Sequence, residues 1–89
     1  MTAWKLEYSE AARRQLHKMD AGQRTLVLSW MNKNIDGCSD PRSQGKSLTG
    51  QLPGMWRYRI GNYRVLCDLQ DDRAVVVSIK VGHRRDVYR

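Results

Sequence analysis

Apolar residues recur along the first part of this chain with two different periods, and each period predicts a different element. Trp4, Leu6 and Tyr8 alternate with polar residues, which predicts a short opening strand with one apolar face. Apolar residues then recur every third or fourth position, which predicts a helix over about 10–19 and a second helix after Asp20. Two helices joined by so short a link are expected to form an antiparallel hairpin.

Strand patterns return after a predicted loop over 38–54, which is rich in Gly, Ser and Pro. Three strands are predicted, over about 55–60, 63–69 and 74–81. Gly61 and Asn62 suit a two-residue hairpin turn, and residues 70–72 supply a three-residue second turn. The elements predict one α+β domain over 1–89 with the order β-α-α-β-β-β, an antiparallel sheet carrying a helical hairpin on one face.

The charge balance of the chain predicts a class of binding partner. Sixteen Lys and Arg residues stand against nine Asp and Glu residues, a formal net charge of +7. Such an excess in a short chain predicts attraction to a polyanion. No apolar run approaches the roughly 18–20 residues that a membrane span needs, and the first residues lack a signal peptide's apolar stretch. We therefore expect a cytoplasmic protein.

The cysteines and histidines predict neither a disulfide framework nor a metal site. Cys38 and Cys67 are the two cysteines, and Cys67 falls in an apolar strand pattern that predicts a buried position. His17 and His83 lie far apart in the sequence, with no ligand spacing around them. We expect no resident metal or other cofactor.

The tryptophans occur at positions whose spacing predicts packing in the core. They are Trp4, Trp30 and Trp56. Core packing is favoured over base stacking for all of them, and Trp56 is the one closest to the arginines of its own strand.

Period-two geometry predicts a concentration of arginines on one side of the sheet. Arg57 and Arg59 alternate with Trp56 and Tyr58, so the arginines point away from the core. The two-residue hairpin turn then places Arg59 directly opposite Arg64. Like charges opposed across a ladder are destabilising, and an anion held between them would convert that repulsion into binding.

The last strand is predicted to extend this cationic side. A three-residue turn gives that strand an apolar side toward the helices, formed by Val75, Val77, Ile79 and Val81. Ser78 and Lys80 then fall on the opposite side beside Arg64, and Arg84 joins them if the chain curls back after Gly82. Arginine suits bidentate phosphate recognition, so this side is predicted to bind phosphate. Ordinary solvated charges are the alternative interpretation.

Three stretches of the chain resemble the RelE branch of the RelE/ParE toxin superfamily. They are KSLTG before the second strand, MWRYRIGNYRVLC across the first hairpin, and VSIKVGHRRDVY at the end. The resemblance runs from Lys46 to Tyr88, and the β-α-α-β-β-β order agrees over the whole length. It implies a RelE-like microbial RNase fold and a toxin of a type II toxin–antitoxin system.

The resemblance also implies an activity and its partners. Members of this branch cut mRNA in the ribosomal A site through attack by the RNA 2′-hydroxyl, which leaves a 2′,3′-cyclic phosphate and requires no metal. Such a metal-independent endoribonuclease inhibits translation. An acidic, RelB-like antitoxin is expected to wrap the toxin, to cover its basic side or displace its C-terminal element, and to repress the operon of the pair.

Residue roles carry over where the motifs match. By resemblance, Arg64 in NYR stabilises the transition state, Arg84 in GHRR acts at the leaving oxygen, and Tyr88 in DVY orients the substrate. Arg57 and Arg59 stand where well-known members carry lysines, one of them a proposed general base. The further cations expected to bind RNA phosphate are Lys80, Lys46 and Arg85.

Arginine at these two positions leaves the identity of the general base undecided, because a guanidinium stays protonated near neutrality. His83 is one candidate, since an imidazole can accept a proton at physiological pH. A turn residue that points to solvent fits its place in the sequence equally well. Tyr88 is a second candidate, and activation of the hydroxyl by positioning alone is a third.

Three other functions fit some of these features. A ParE-like poison of DNA gyrase would share the fold, although the set of Arg64, Arg84 and Tyr88 argues against it. A non-catalytic RNA-binding or ribosome-binding module would fit arginine at the usual lysine positions. A docking domain for an acidic partner would fit the charge alone.

Overall fold

The computed structural model describes residues 2–48 and 54–88. Residues 49–53 belong to the predicted loop and include the end of the KSLTG stretch; they lie outside the described residues, as do residues 1 and 89. Within the described residues the chain forms β1 Lys5–Tyr8, α1 Glu10–Lys18, α2 Ala21–Asn34, a 3-10 helix Pro41–Ser43, β2 Lys46–Ser47, β3 Met55–Ile60, β4 Tyr63–Gln70 and β5 Val75–His83.

Both helices begin where the apolar spacing predicts, and each has a capping side chain. The Ser9 hydroxyl accepts the main-chain N–H of Ala12 at 3.0 Å, and the Asp20 carboxylate accepts that of Gly22 at 3.1 Å. These side chains satisfy donors that no helical carbonyl can reach. Neither α1 nor α2, the α-helices among the described residues, is long and apolar enough to cross a membrane.

The predicted α+β fold is confirmed, with one correction to the sheet. The described strands form a single sheet in the order β1-β5-β4-β3-β2. The pairs β2–β3, β3–β4 and β4–β5 are antiparallel, whereas β1 runs parallel to β5, so the sheet is mixed instead of wholly antiparallel. Only strands joined by short turns must be antiparallel, and β1 meets β5 through the helical hairpin and the rest of the chain.

The helices pack on one side of the sheet and bury its apolar residues there. The buried core comprises Trp4, Ala12, Leu16, Val27, Met31, Ile35, Tyr58, Ile60, Val65, Cys67, Val76 and Val81. Cys67 is buried, as its strand pattern predicts. Trp4 is buried, while Trp30 and Trp56 are half-buried and pack against the core from its margin.

The predicted facing of β5 is wrong in its first half and correct in its second. The turn occupies residues 71–74 instead of 70–72, and the pairing with β4 shifts between Leu66 and Cys67. Ser78 consequently faces the helices and is fully buried, whereas Ile79, the extra residue, is 38% exposed. Such a bulge resets the alternation, which returns Lys80 to the side away from the helices, as predicted.

The segment predicted as a loop over 38–54 contains two short elements within its described part. Asp40 caps the 3-10 helix by accepting the N–H of Arg42 at 3.0 Å, and β2 pairs its two residues with β3. The Tyr58 hydroxyl donates to the Pro41 carbonyl at 2.7 Å from inside the core. This bond ties the segment to the sheet, so its path is set by tertiary contacts.

Candidate functional site

The side of the sheet away from the helices carries the cations that the strand register predicts. Arg59 pairs with Arg64 across β3 and β4, which confirms the predicted opposition. Arg57 pairs with Leu66, which in turn pairs with Lys80, and cross-strand partners share a face. We call this surface the basic face; its members are Arg57, Arg59, Arg64, Lys80 and, from the C-terminal turn, Arg84.

The C-terminal turn, residues 84–88, returns toward the basic face. The main-chain N–H of Arg84 donates to the Asn62 carbonyl at 2.8 Å, which joins the turn to the β3–β4 hairpin. Val87 is 1% exposed and packs against Leu66 in a small apolar cluster on this side of the sheet. The chain therefore curls back after Gly82, as the placement of Arg84 requires.

Arg64 is held in place by main-chain carbonyls of the hairpin turn. One terminal nitrogen, Nη1, donates to the carbonyls of Gly61 and Tyr63, each at 3.0 Å. These bonds fix the guanidinium relative to the hairpin turn. The pKa of Arg64 is lowered by burial and by the positive charges of Arg59, Arg57 and Arg84. The positive charges of these three arginines therefore act on the Arg64 guanidinium.

Arg57 connects the basic face to the C-terminal turn. Its Nη1 donates to the Tyr88 hydroxyl at 3.3 Å, and Tyr88 remains 39% exposed. The Nε–H of Arg57 is buried and finds no acceptor among residues 2–48 and 54–88. A buried donor without an acceptor costs about 1–3 kcal/mol, and the fold carries this cost at Arg57 within the described residues.

His83 lies on the other side of the sheet from Arg64. It pairs with Tyr63, whose ring packs against the helix-side core and meets the imidazole edge-on with centroids 5.7 Å apart. The His83 Nδ1 accepts the main-chain N–H of Arg85 at 3.2 Å. A neutral imidazole has one acceptor nitrogen, and this bond occupies it. The structure does not bring His83 to the basic face.

The remaining predicted phosphate ligands lie at the margins of the basic face. Lys46 is exposed on β2 and pairs with Arg57, which gives it the same facing. Arg85 is exposed in the C-terminal turn. Asp68, an acidic residue on this side of the sheet, accepts a hydrogen bond from the Gln70 amide at 3.1 Å.

No group of three or more His, Cys, Asp and Glu residues that could hold a metal ion occurs among the described parts of the chain. The basic face presents the guanidinium and ammonium groups of its members, with the Tyr88 hydroxyl beside Arg57. Such a surface can bind a phosphodiester and stabilise added negative charge on it.

A groove at the sheet edge was missed by sequence reasoning. It has a volume of about 220 Å³ and is lined by Trp30, Gln44, Gly45, Lys46, Arg57 and Arg59. The sequence signal for this groove was Gly45, because a glycine between polar residues indicates a special backbone conformation. The φ of Gly45 is +83°. The groove continues the basic face around the edge formed by β2 and β3.

Comparisons with known proteins give a consistent result. The family model for the ParE toxin of type II toxin–antitoxin systems, parDE, matches residues 6–88. Toxin RelG of Mycobacterium tuberculosis is 32% identical over 84 residues, which cover 94% of each protein. These matches span α1, α2 and the strands that carry the basic face.

Solved structures agree with this fold. The chain aligns with one chain of the RelBE2 toxin–antitoxin complex of Mycobacterium tuberculosis at a TM-score of 0.83 and 29% identity. The alignment covers 93% of this chain and 100% of that chain of the complex. The isolated E. coli RelE toxin aligns at a TM-score of 0.73 and 23% identity, covering 91% of this chain and 84% of that chain. At that lower identity the likeness concerns the fold alone.

Proposed function

Because this chain belongs to the RelE/ParE superfamily of toxins from type II toxin–antitoxin systems, we propose that it is an endoribonuclease that cuts mRNA on the ribosome. The observation that carries the proposal is the opposed pair Arg59 and Arg64, with Arg57 and Arg84 beside it. A phosphodiester that gains negative charge during reaction relieves their repulsion most at the transition state. Ribosomes and mRNA place this activity in the cytoplasm.

The proposed reaction is a transesterification within the RNA. The 2′-oxygen attacks the neighbouring phosphorus, so an O2′–P bond forms while the P–O5′ bond breaks. The hydroxyl proton passes to a base, and the leaving 5′-oxygen receives a proton. The products carry a 2′,3′-cyclic phosphate and a 5′-hydroxyl. Because the nucleophile belongs to the substrate, the reaction needs no metal-bound water.

Arg64 is assigned to the developing charge on the phosphate oxygens. Its Nη1 is held by the carbonyls of Gly61 and Tyr63, so its remaining N–H groups keep a fixed direction. A donor that is oriented before the reaction stabilises a transition state without reorganisation cost. Arg84 is assigned to the leaving oxygen, since the same hairpin turn holds its main chain.

Tyr88 is assigned to the 2′-hydroxyl in preference to His83. The Tyr88 hydroxyl lies on the basic face at 3.3 Å from the Arg57 guanidinium, whereas the acceptor nitrogen of His83 is occupied on the other side of the sheet. Arg57 and Arg59 are poor bases but strong phosphate ligands. Much of the rate is therefore assigned to positioning of the RNA by the ribosome.

The proposal includes an antitoxin partner. A solved relative, RelBE2 of Mycobacterium tuberculosis, is a toxin–antitoxin complex. With a net charge of +7, this chain is suited to an acidic partner that neutralises the basic face. A RelB-like antitoxin would inhibit the toxin in this way and repress the operon of the pair through its own DNA-binding part.

The test is cleavage of a defined mRNA on programmed ribosomes, followed by analysis of the fragment ends. The expected result is fragments with 2′,3′-cyclic phosphate ends, with far less cleavage of the same RNA without ribosomes. Ribosome binding without cleavage would support a non-catalytic module instead. Stalled gyrase on DNA with intact mRNA would support the gyrase poison and refute the proposal.

A further inference from the structure

The groove at the sheet edge is held open by specific contacts of its wall. The Trp56 indole N–H donates to the Gln44 carbonyl at 2.7 Å, and the Tyr58 hydroxyl donates to Pro41 at 2.7 Å. These two bonds hold the segment before β2 against β3. Gly45, with a positive φ, lies immediately before β2, and it lines the groove together with Arg59.

Gly45 is required at this position because a side chain would collide with β3. An added Cβ would lie 2.6 Å from the Trp56 indole nitrogen and 2.9 Å from the Tyr58 ring, and it would overlap the Arg57 carbonyl. The positive φ of Gly45 is a second reason. The groove is therefore a preformed feature of the backbone.

The groove combines an aromatic wall with cationic walls. Trp30 is half-buried; its ring packs against Tyr58 with centroids 5.7 Å apart, and it also lines the groove. Lys46, Arg57 and Arg59 supply the positive charge. Aromatic rings beside cations are the combination by which proteins hold unpaired bases of single-stranded RNA.

We propose that this groove binds one nucleobase of the RNA, from a nucleotide next to the cleaved phosphate, stacked against Trp30. The inference rests on the proposed function and deepens it by naming a subsite. Arg57 and Arg59 belong to both the groove and the basic face, so a strand whose phosphate lies at Arg59 and Arg64 has its next nucleotide at the groove mouth. Trp30 is thus the stacking residue of this subsite.

The dimensions and charge favour a base over other occupants. A volume of about 220 Å³ is below the roughly 300 Å³ at which pockets for larger organic ligands begin. The occupant must also be attached to an anion, because the walls carry Lys46, Arg57 and Arg59. A single nucleotide of RNA meets both conditions. A carboxylate side chain of an acidic peptide is the rival occupant.

The first experiment measures binding of a short RNA that cannot be cleaved, with 2′-deoxy sugars at the scissile position, at low salt. Each base is removed in turn to leave an abasic site. Removal at one position should weaken binding to the full chain by about tenfold, the contribution of one stacked base. In the Trp30→Leu variant, removal of that base should cause no additional loss of binding. In the Trp30→Phe variant, it should weaken binding as much as it does in the unmodified chain.

The second experiment measures RNA binding by the unsubstituted chain, and a substitution serves only to assign one resonance. The chain is labelled with 5-fluorotryptophan, and its ¹⁹F spectrum is recorded during titration with the same RNA. The Trp30 resonance, identified from Trp30→Phe, should shift, while that of buried Trp4 should stay in place. A Trp30 resonance that responds to an acidic peptide and not to RNA would overturn the inference.

The outcomes separate this subsite from the proposed function. If the chain cleaves mRNA on ribosomes but every abasic position weakens RNA binding equally, the proposed subsite is overturned and the proposed nuclease activity stands. A Trp30 shift and one sensitive base position without cleavage would retain the subsite and refute the nuclease.

Discussion

The two sides of the sheet are built from the same strands and satisfy opposite requirements. Toward the helices, Tyr58, Val65 and Cys67 are completely buried, and their apolar contacts supply folding free energy. On the basic face, Arg59 opposes Arg64, an arrangement that opposes folding. Packing alone thus explains one side, whereas it does not explain the opposed arginines of the other.

This difference teaches how substitutions should separate. A change on the basic face should alter activity and leave the fold in place, because few apolar contacts depend on its side chains. A change on the helix side should alter the free energy of unfolding and leave activity in place. A basic-face variant that loses stability, or a helix-side variant that loses activity, would contradict this comparison.

The largest expected effect comes from Arg64→Ala. Loss of its fixed guanidinium should lower ribosome-dependent mRNA cleavage by about 100- to 1000-fold. The matched control is Arg14→Ala, which removes the same charge from the exposed side of α1 and should cleave normally. Thermal unfolding should move by less than about 5 °C in both variants. Normal cleavage by Arg64→Ala would remove the site assignment.

The next effect sharpens the assignment of the proton. Tyr88→Phe should lower the cleavage rate on the order of 100-fold, because it removes the hydroxyl assigned to the 2′-oxygen. His83→Gln should change the rate little, since His83 faces the helix side. Single-turnover cleavage on ribosomes measures both. The reverse order of effects would assign the proton to His83 and require the C-terminal turn to rearrange.

A smaller effect is expected on the helix side, where a substitution should increase stability. The Ser78 hydroxyl is buried and makes no hydrogen bond within the described chain. Ser78→Ala should therefore raise the free energy of unfolding by about 1 kcal/mol and leave cleavage unchanged. Chemical denaturation measures the change, with Ser39→Ala as a control at an exposed position. A loss of stability would mean that the hydroxyl has a partner.

The smallest effect concerns an exposed ion pair that belongs to neither side. Arg42 holds both carboxylate oxygens of Asp71, at 2.8 and 2.9 Å, and lowers the pKa of Asp71 below its ordinary 3.8. The pair therefore stabilises the fold above that pH and loses this effect as the pH falls through the lowered pKa. Unfolding of the unmodified chain and Asp71→Asn should differ slightly near neutrality and converge in acid.

The fold was predictable wherever neighbouring residues determine it. Both helices begin where the apolar periodicity predicts, and Ser9 and Asp20 cap them. Gly61, with φ of +58°, closes the hairpin that places Arg59 opposite Arg64. These are short-range effects of turn geometry and strand alternation. The direction of β1 was not predictable, because its neighbour β5 lies at the other end of the sequence.

The candidate site was predictable to a smaller extent. The period-two pattern predicts the arginines of β3 and β4, and those residues share one side as expected. The side on which His83 lies was open, because it depends on how the bulge at Ile79 and the C-terminal turn meet β4. The groove depends on Gly45 passing over β3, a contact between segments without a shared period.

The amino-acid sequence by itself determined the two α-helices, the longer strands, the opposed arginines and the membership of a toxin family, because periodicity, turn chemistry and motifs are local properties of the chain. Tertiary structure alone decided the parallel pairing of β1, the exposure of Ile79, the facing of His83 and the groove beside Trp30. Each of these depends on contacts between residues distant in sequence, where packing and hydrogen bonding choose among arrangements that local preferences leave equal.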